Sequence, residues 1–181
     1  QGSVVETDYS KFDGSISPFL RSVEQTALFQ SYSDAEQAEI SRLLERDSNL
    51  NGITSFHVKY KTKSSRLSGS QMTTVGNSII NAFVAYCAYR ITGHSPARSY
   101  ALIGPKFGDD GIDDESGDFI TAASDLGLKL TIEKRDVFKY VTFCGRIYLT
   151  PATGTSSIFK PKKALRSLCV TTGGKSHAAK I

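Results

Sequence analysis

Two acidic sites stand out by residue type and spacing. The stretch "KFGDDGIDDES", Lys106 to Ser116, packs five acidic residues into positions 109–115, and "ETDYSKFDGS" places Asp8 and Asp13 five apart. Like charges this close repel, so the crowding implies either a fully solvated loop or a bound cation. A hard divalent cation takes oxygen ligands. Carboxylates brought together from two strands at one edge of a sheet suit two-metal phosphoryl transfer, in which one ion lowers the pKa of the attacking hydroxyl and the other stabilises the leaving oxygen. Singly, each signal is weak. Asp-x4-Asp is common, and Gly and Asp are turn residues in any case. Between the two sites lies "SGSQMTTVGNSIINAFVAY", which sets Ser68, Gly69, Thr73, Thr74 and Asn77 where a Ser/Gly loop leads into a helix.

Such residues need elements to position them. Val4 to Tyr9 reads as a strand. Ser17-Pro18 is a helix start, followed by Phe19, Leu20, Val23, Ala27 and Leu28 at helical spacing. Ser33 to Glu36 forms a capping box for a second helix, with Ile40, Leu43 and Leu44 as its apolar face. Phe56, Val58 and Tyr60 alternate with His57, Lys59 and Lys61, which predicts a half-buried strand with a basic outer face. Thr73 to Ile91 is a long apolar helix. Tyr100 to Phe107 and Ile112 flank the acidic cluster, whose first part becomes a hairpin turn. Asp118 to Leu126 reads as a helix and Leu128 to Ile132 as a strand. Val137 to Thr142 and Arg146 to Leu149 form a second hairpin turning at Cys144-Gly145. The order predicts an α+β fold: a βαββαβ antiparallel sheet, ferredoxin-like, with helices on one face and an insertion after the first helix. In it the first strand and the central hairpin are neighbours, so Asp8 and the Asp109-Asp110 turn converge.

The 181 residues are 39% hydrophobic and 22% charged, enough for one sizeable core, and the net charge of +4 is compatible with a polyanionic partner. Cys87, Cys144 and Cys169 each sit in an apolar run without metal-ligand spacing, which predicts buried, reduced thiols. No apolar run approaches a membrane span, and no signal peptide is visible. A chain that opens on Gln1 and enters a strand almost at once reads as a piece of something larger.

Taken together and in this order, the three segments resemble the palm of viral RNA-dependent RNA polymerases of positive-strand RNA viruses, with a nodavirus-like replicase preferred. Asp8 and Asp13 match that family's motif A; Ser68, Gly69, Thr73, Thr74 and Asn77 its motif B; Gly108-Asp109-Asp110 its motif C. "LGLKLTIEK" looks like motif D and "FCGRIYL" like the motif E hairpin. The resemblance implies a template-directed nucleotidyl transferase that uses Mg²⁺ or Mn²⁺, held by Asp8, Asp109 and Asp110. It implies ribose recognition through Asp13 and Asn77, because the 2′-OH both donates and accepts. Ser68 and Gly69 would form a flexible loop against template and nucleotide, with Thr73 and Thr74 supporting the Asp13–Asn77 network. Lys134 is the implied general acid for pyrophosphate, with Lys129 as rival, and Arg146 an implied contact to the product RNA strand. The implied partners are RNA template and nascent strand, nucleoside triphosphates and the fingers and thumb of a replicase. The implied location is the host cytoplasm, at membrane-associated replication complexes reached through regions outside this chain.

On this reading residues 1–31 and 66–151 are palm, 32–65 a finger insertion, and 152–181 the start of a thumb with a basic tail. The finger residues that grip the triphosphate normally precede motif A, so the chain alone is expected to be inactive. Two alternatives stand beside it. One is a non-catalytic RNA-binding βαββαβ module. The other is a reverse-transcriptase-like polymerase, against which the Asp13/Asn77 pair argues. Asp113, Asp114, Glu115 and Asp118 are expected in a solvated loop and an acidic helix start; His57, His94 and His177 on the surface. Lys59, Lys61, Lys63 and Arg66 are expected either to line a nucleic-acid channel or to solvate a strand.

Overall fold

The first strand, β1 (Ser3–Tyr9), buries Val5, Thr7 and Tyr9 and leaves Asp8 exposed, so one face of its sheet is core and the other open. The computed structural model describes residues 2–154 and 156–168. They divide into two compact units, Val4–Lys134 and the described residues of Gln1–Ser3 and Arg135–Ile181.

In the larger unit, β1 is followed by a 3₁₀ turn at Asp13–Ser15 and by α1 (Pro18–Phe29). The Ser17 side chain accepts from the Leu20 N–H at 3.3 Å, with Pro18 in the first turn, as the sequence predicts. The Ser33–Glu36 capping box opens α2 (Asp34–Ser48). Then come β2 (Asn51–Ile53), β3 (Lys59–Lys61), α3 (Thr73–Ile91), α4 (Pro96–Ala101), β4 (Lys106–Phe107), β5 (Asp110–Asp114), α5 (Phe119–Asp125) and β6 (Leu130–Asp136). The main sheet runs β4-β5-β1-β6, with β1 and β4 antiparallel to β5. Its covered face carries the core. Val5 and Tyr9 meet Ile80, Val84, Ala85, Ala88 and Tyr89 of α3 and Phe119, Ala122 and Ala123 of α5. Each large side chain so buried contributes roughly 1.5–3 kcal/mol.

Several expectations need correction. Tyr100 ends a helix, not a strand: Ser95-Pro96 repeats the Ser17-Pro18 start, with the Ser95 Oγ accepting from Arg98 N–H, and β4 shrinks to two residues. Phe56, Val58 and Tyr60 are not half-buried, and Phe56 is 87% exposed. The reason is that β2 and β3 form an isolated two-stranded hairpin with no second layer behind it. Likewise α2 buries none of its residues fully. Finally, the acidic cluster is mostly strand. Asp113 lies on the covered face of β5 and forms an ion pair with Lys106. Asp114, by contrast, is exposed and accepts from Ser116 N–H, and Asp118 caps α5 by accepting from Thr121 N–H.

In the smaller unit, β7 (Val141–Phe143), β8 (Arg146–Tyr148) and β9 (Ser157–Phe159) form an antiparallel sheet, followed by α6 (Pro161–Leu168). The turn at Cys144-Gly145 has positive φ at both residues, 50° and 74°, the signature of a type I′ hairpin. Cys144 is therefore exposed, against expectation, and Cys87 is half-buried. The third strand, β9, had no clear alternation to announce it. Lys160, Lys162, Lys163 and Arg166 lie in or beside α6. Cys169, Lys175, His177 and Lys180 lie outside the described residues.

Candidate active site

The β1–β5 register pairs Thr7 with Gly111, so the next antiparallel step sets Asp8 opposite Asp110. Residues at both positions face away from the core, and both are exposed. Asp109 belongs to the two-residue loop, Gly108-Asp109, that joins β4 to β5, and it is exposed too. Gly108 has φ 64° at the first loop position, where a type II′ hairpin calls for glycine. Asp8 and Asp110 thus stand on the open side of the sheet, with Asp109 in the turn beside Asp110. Among the described residues, no three His, Cys, Asp or Glu side chains are already closed around one point. The donors available are all carboxylate oxygens, which suits a hard divalent cation such as Mg²⁺ or Mn²⁺ and does not suit a soft one.

Beside this edge, Asp13 is held by α3 and by the segment before it. Its Oδ1 accepts from Asn77 Nδ2 at 2.7 Å, its Oδ2 accepts from the Ser68 hydroxyl, and its carbonyl accepts from Arg66 N–H at 2.8 Å. Asn77 Oδ1 accepts from Arg66 Nε at 2.7 Å, which fixes the orientation of the amide. Arg66 is buried, not channel-lining, and its guanidinium pairs with Glu24 of α1 at 2.6 Å. Residues 64 sequence positions apart are thereby joined in one network, the pairing that the resemblance implies. Gly69 takes φ 89° and is exposed. Thr73 does not join Asp13; its hydroxyl donates to the Leu67 carbonyl at 3.1 Å and so ties the loop to α3. Thr74 is exposed, and its carbonyl accepts from Ser78.

Below the carboxylates the sheet is charged. Burial pulls the Lys106 ammonium below the usual lysine range, with Asp113 opposing that pull. Burial, and then the charge of Asp113, pushes the Tyr9 phenol well up, so Tyr9 stays a neutral hydroxyl.

Residues 1–169 match a family described as viral RNA-dependent RNA polymerase. The chain belongs to the viral RNA-dependent RNA polymerase family. It is 38% identical over 183 residues to the RNA-directed RNA polymerase of Atlantic halibut nervous necrosis virus, covering 98% of this chain and 19% of that protein. Against that of Flock house virus it is 30% identical over 175 residues, covering 93% and 18%. The chain thus spans about a fifth of the length of these relatives. A crystal structure of the RNA-dependent RNA polymerase of a human picobirnavirus shares the fold, with a TM-score of 0.76 at 18% identity, covering 93% of this chain and 33% of that one. A nodavirus-like subgroup agrees with these relatives.

Within a polymerase of this family, the remaining candidates are placed as follows. On β6, Leu130 and Ile132 pack against the core, as does Leu128 just before it. By alternation Lys129 falls on the same side as Asp8, and its carbonyl accepts from Ser10 N–H at 2.9 Å. Lys134 has the opposite parity and forms an exposed ion pair with Glu115 at 3.6 Å. Arg146 sits within the small sheet: Nε donates to Ser157 Oγ at 2.7 Å, an Nη to the Ser157 carbonyl at 3.0 Å, and the guanidinium lies 4.4 Å from the centre of the Phe159 ring. His57 is exposed, and His94 is half-buried, edge-on to Tyr89. Sequence reasoning missed Glu24, Lys106, Ser78 and Asn81. The last two were signalled by polar residues inside an otherwise apolar helix.

Proposed function

We propose that this chain is the catalytic palm of an RNA-dependent RNA polymerase that copies viral RNA by template-directed nucleotidyl transfer. The placement of Asp8 opposite Asp110 on the open face, with Asp109 in the adjoining turn, carries this reading. Asp8, Asp109 and Asp110 would hold divalent metal, Mg²⁺ or Mn²⁺, which when bound would lower the pKa of the attacking 3′-hydroxyl and stabilise charge on the leaving oxygen. Asp13 and Asn77 read the ribose. Asn77, its Oδ1 accepting from Arg66 and its Nδ2 donating to Asp13, orients the Asp13 carboxylate so that a 2′-OH meets Asp13 Oδ2, where Ser68 now donates. Ser68 and Gly69 thus form a loop that can yield to the nucleotide. Lys129 is better placed than Lys134 to protonate pyrophosphate, because it shares the face of Asp8. Arg146 reaches RNA only with the guanidinium N–H groups not engaged by Ser157. Residues 1–31 and 66–151 act as palm, 32–65 as a finger insertion and those from 152 as the start of a thumb. Fingers, thumb and membrane attachment at replication complexes come from the rest of a replicase.

Two measurements test this. In a longer polymerase carrying this region, Asn77→Ala is expected to lower the preference for NTP over dNTP roughly five- to tenfold, since a hydrogen bond contributes about 1 kcal/mol. An unchanged ratio would reduce Asn77 to a structural residue. Residues 1–181 alone, given primed template, Mg²⁺ and NTPs, are expected to extend no primer while still binding RNA weakly and in a salt-dependent way. Positioning supplies most of the rate in phosphoryl transfer, whereas phosphate binding needs only clustered Lys and Arg. Robust extension by the short chain would show that the nucleotide site lies wholly within it.

A further inference from the structure

The loop that bears Asp109 is poorly held by its own strands. β4 has two residues, and Phe107 is exposed, so the hairpin has little packing to keep it still. The restraint comes from α3. Asn81, 1% exposed, directs Nδ2 at three successive carbonyls, those of Gly108 at 3.3 Å, Asp109 at 3.1 Å and Asp110 at 3.2 Å. Three acceptors on one side leave the amide a single sensible orientation, and Oδ1 then accepts from the Tyr9 hydroxyl at 3.3 Å. One turn of helix earlier, Ser78 Oγ accepts from Gly108 N–H at 2.8 Å while donating to the Thr74 carbonyl. The backbone polar groups of the turn are thus drawn towards the core.

From this geometry we infer that Asn81, aided by Tyr9 and Ser78, is a positioning residue. It clamps the backbone of the Gly108–Asp110 turn and so fixes where the Asp109 and Asp110 carboxylates stand relative to Asp8. The inference rests on the reading of those carboxylates as the catalytic ones. It links two strands and a helix: Tyr9 is the residue after Asp8 on β1, and Asn81 lies one helical turn beyond Asn77. The same helix therefore sets the ribose-reading amide and the acidic turn, and a shift of the turn by about 1 Å is enough to cost ~100-fold in rate.

The test uses a longer polymerase carrying this region, with Asn81→Leu, which keeps the side-chain volume, and Tyr9→Phe, which keeps the ring. The first readout needs no metal. Amide exchange in the metal-free protein should rise at least tenfold at residues 107–110 in Asn81→Leu and stay unchanged in the strands β1 and β6. The second is kinetic. Asn81→Leu should lower kcat roughly 100-fold and raise the Mg²⁺ midpoint several-fold while KM for NTP stays within about twofold. Tyr9→Phe should show the same pattern at three- to tenfold, and adding it to Asn81→Leu should do no further harm. If Asn81→Leu does not fold, Tyr9→Phe decides by the same two readouts. Loosened exchange everywhere with kcat and the Mg²⁺ midpoint unchanged overturns the clamp, leaving a packing role. Asp109→Ala separates the two ideas. If it retains full incorporation, the carboxylate assignment fails; if it is dead while Asn81→Leu behaves as wild type, only the clamp fails.

Discussion

Asp109→Ala in a longer polymerase carrying this region is expected to reduce nucleotide incorporation about a thousandfold or more while leaving RNA affinity and melting temperature near wild type. The size follows from what the carboxylate would do. Stabilising charge at the reacting phosphorus through bound metal contributes several kcal/mol, and each 1.36 kcal/mol is a factor of ten in rate. The lack of a folding penalty follows from exposure: Asp109 is exposed, so its removal leaves no buried partner stranded. Asp8→Ala should behave alike. Asp113→Ala should behave in the opposite manner. Its carboxylate is buried against Lys106, so the variant loses stability first, and activity only with it. Incorporation and thermal melting of the three variants, measured side by side, check the division. Asp109→Ala with a rate within tenfold of wild type would remove the basis for the proposed site.

That contrast also shows where the sequence was legible. Asp109 and Asp113 sit in one acidic run, and composition cannot tell them apart. Strand alternation can, but only once the turn is known to end at Asp109 and β5 to begin at Asp110. The local signals that carried through were those with a short-range mechanism: the Ser17-Pro18 start, the Ser33–Glu36 box and the Gly108 turn. Ser95-Pro96 carries the same signal, but the aromatic and apolar residues after it read as strand. The exposed β2–β3 hairpin misled for another reason. Alternation predicts a buried face only where a second layer exists to bury it. The long-range pairing of Glu24 with Arg66 was not legible. Arg66 lay among surface-like lysines, and Glu24 occupied the core-facing position one turn after Leu20, where periodicity predicts an apolar side chain.

That buried pair gives the other large effect. Glu24 and Arg66 are 1% and 0% exposed at their side chains and lie 2.6 Å apart, and Arg66 also donates to the Met72 carbonyl at 3.2 Å. Glu24→Ala strands a buried guanidinium, which costs about 3–5 kcal/mol, and is expected to lower the urea midpoint of the longer polymerase clearly. Gly76→Ala should also destabilise, although alanine favours a helix by about 1 kcal/mol over glycine. A Cβ at Gly76 would stand 2.4 Å from Glu24 Oε1 and 2.5 Å from an Arg66 Nη, inside the pair itself. Replacing both partners, Glu24→Leu with Arg66→Met, removes both charges together and should recover most of the lost stability. It should not recover sugar choice. Without Arg66 Nε, Asn77 Oδ1 has lost its donor, and the amide that presents Nδ2 to Asp13 is free to turn. The double variant is therefore expected to melt near wild type yet discriminate NTP from dNTP several-fold less well. Restored stability with undiminished discrimination would show that Asp13 holds Asn77 in place unaided, and that the ion pair only joins α1 to the segment before α3.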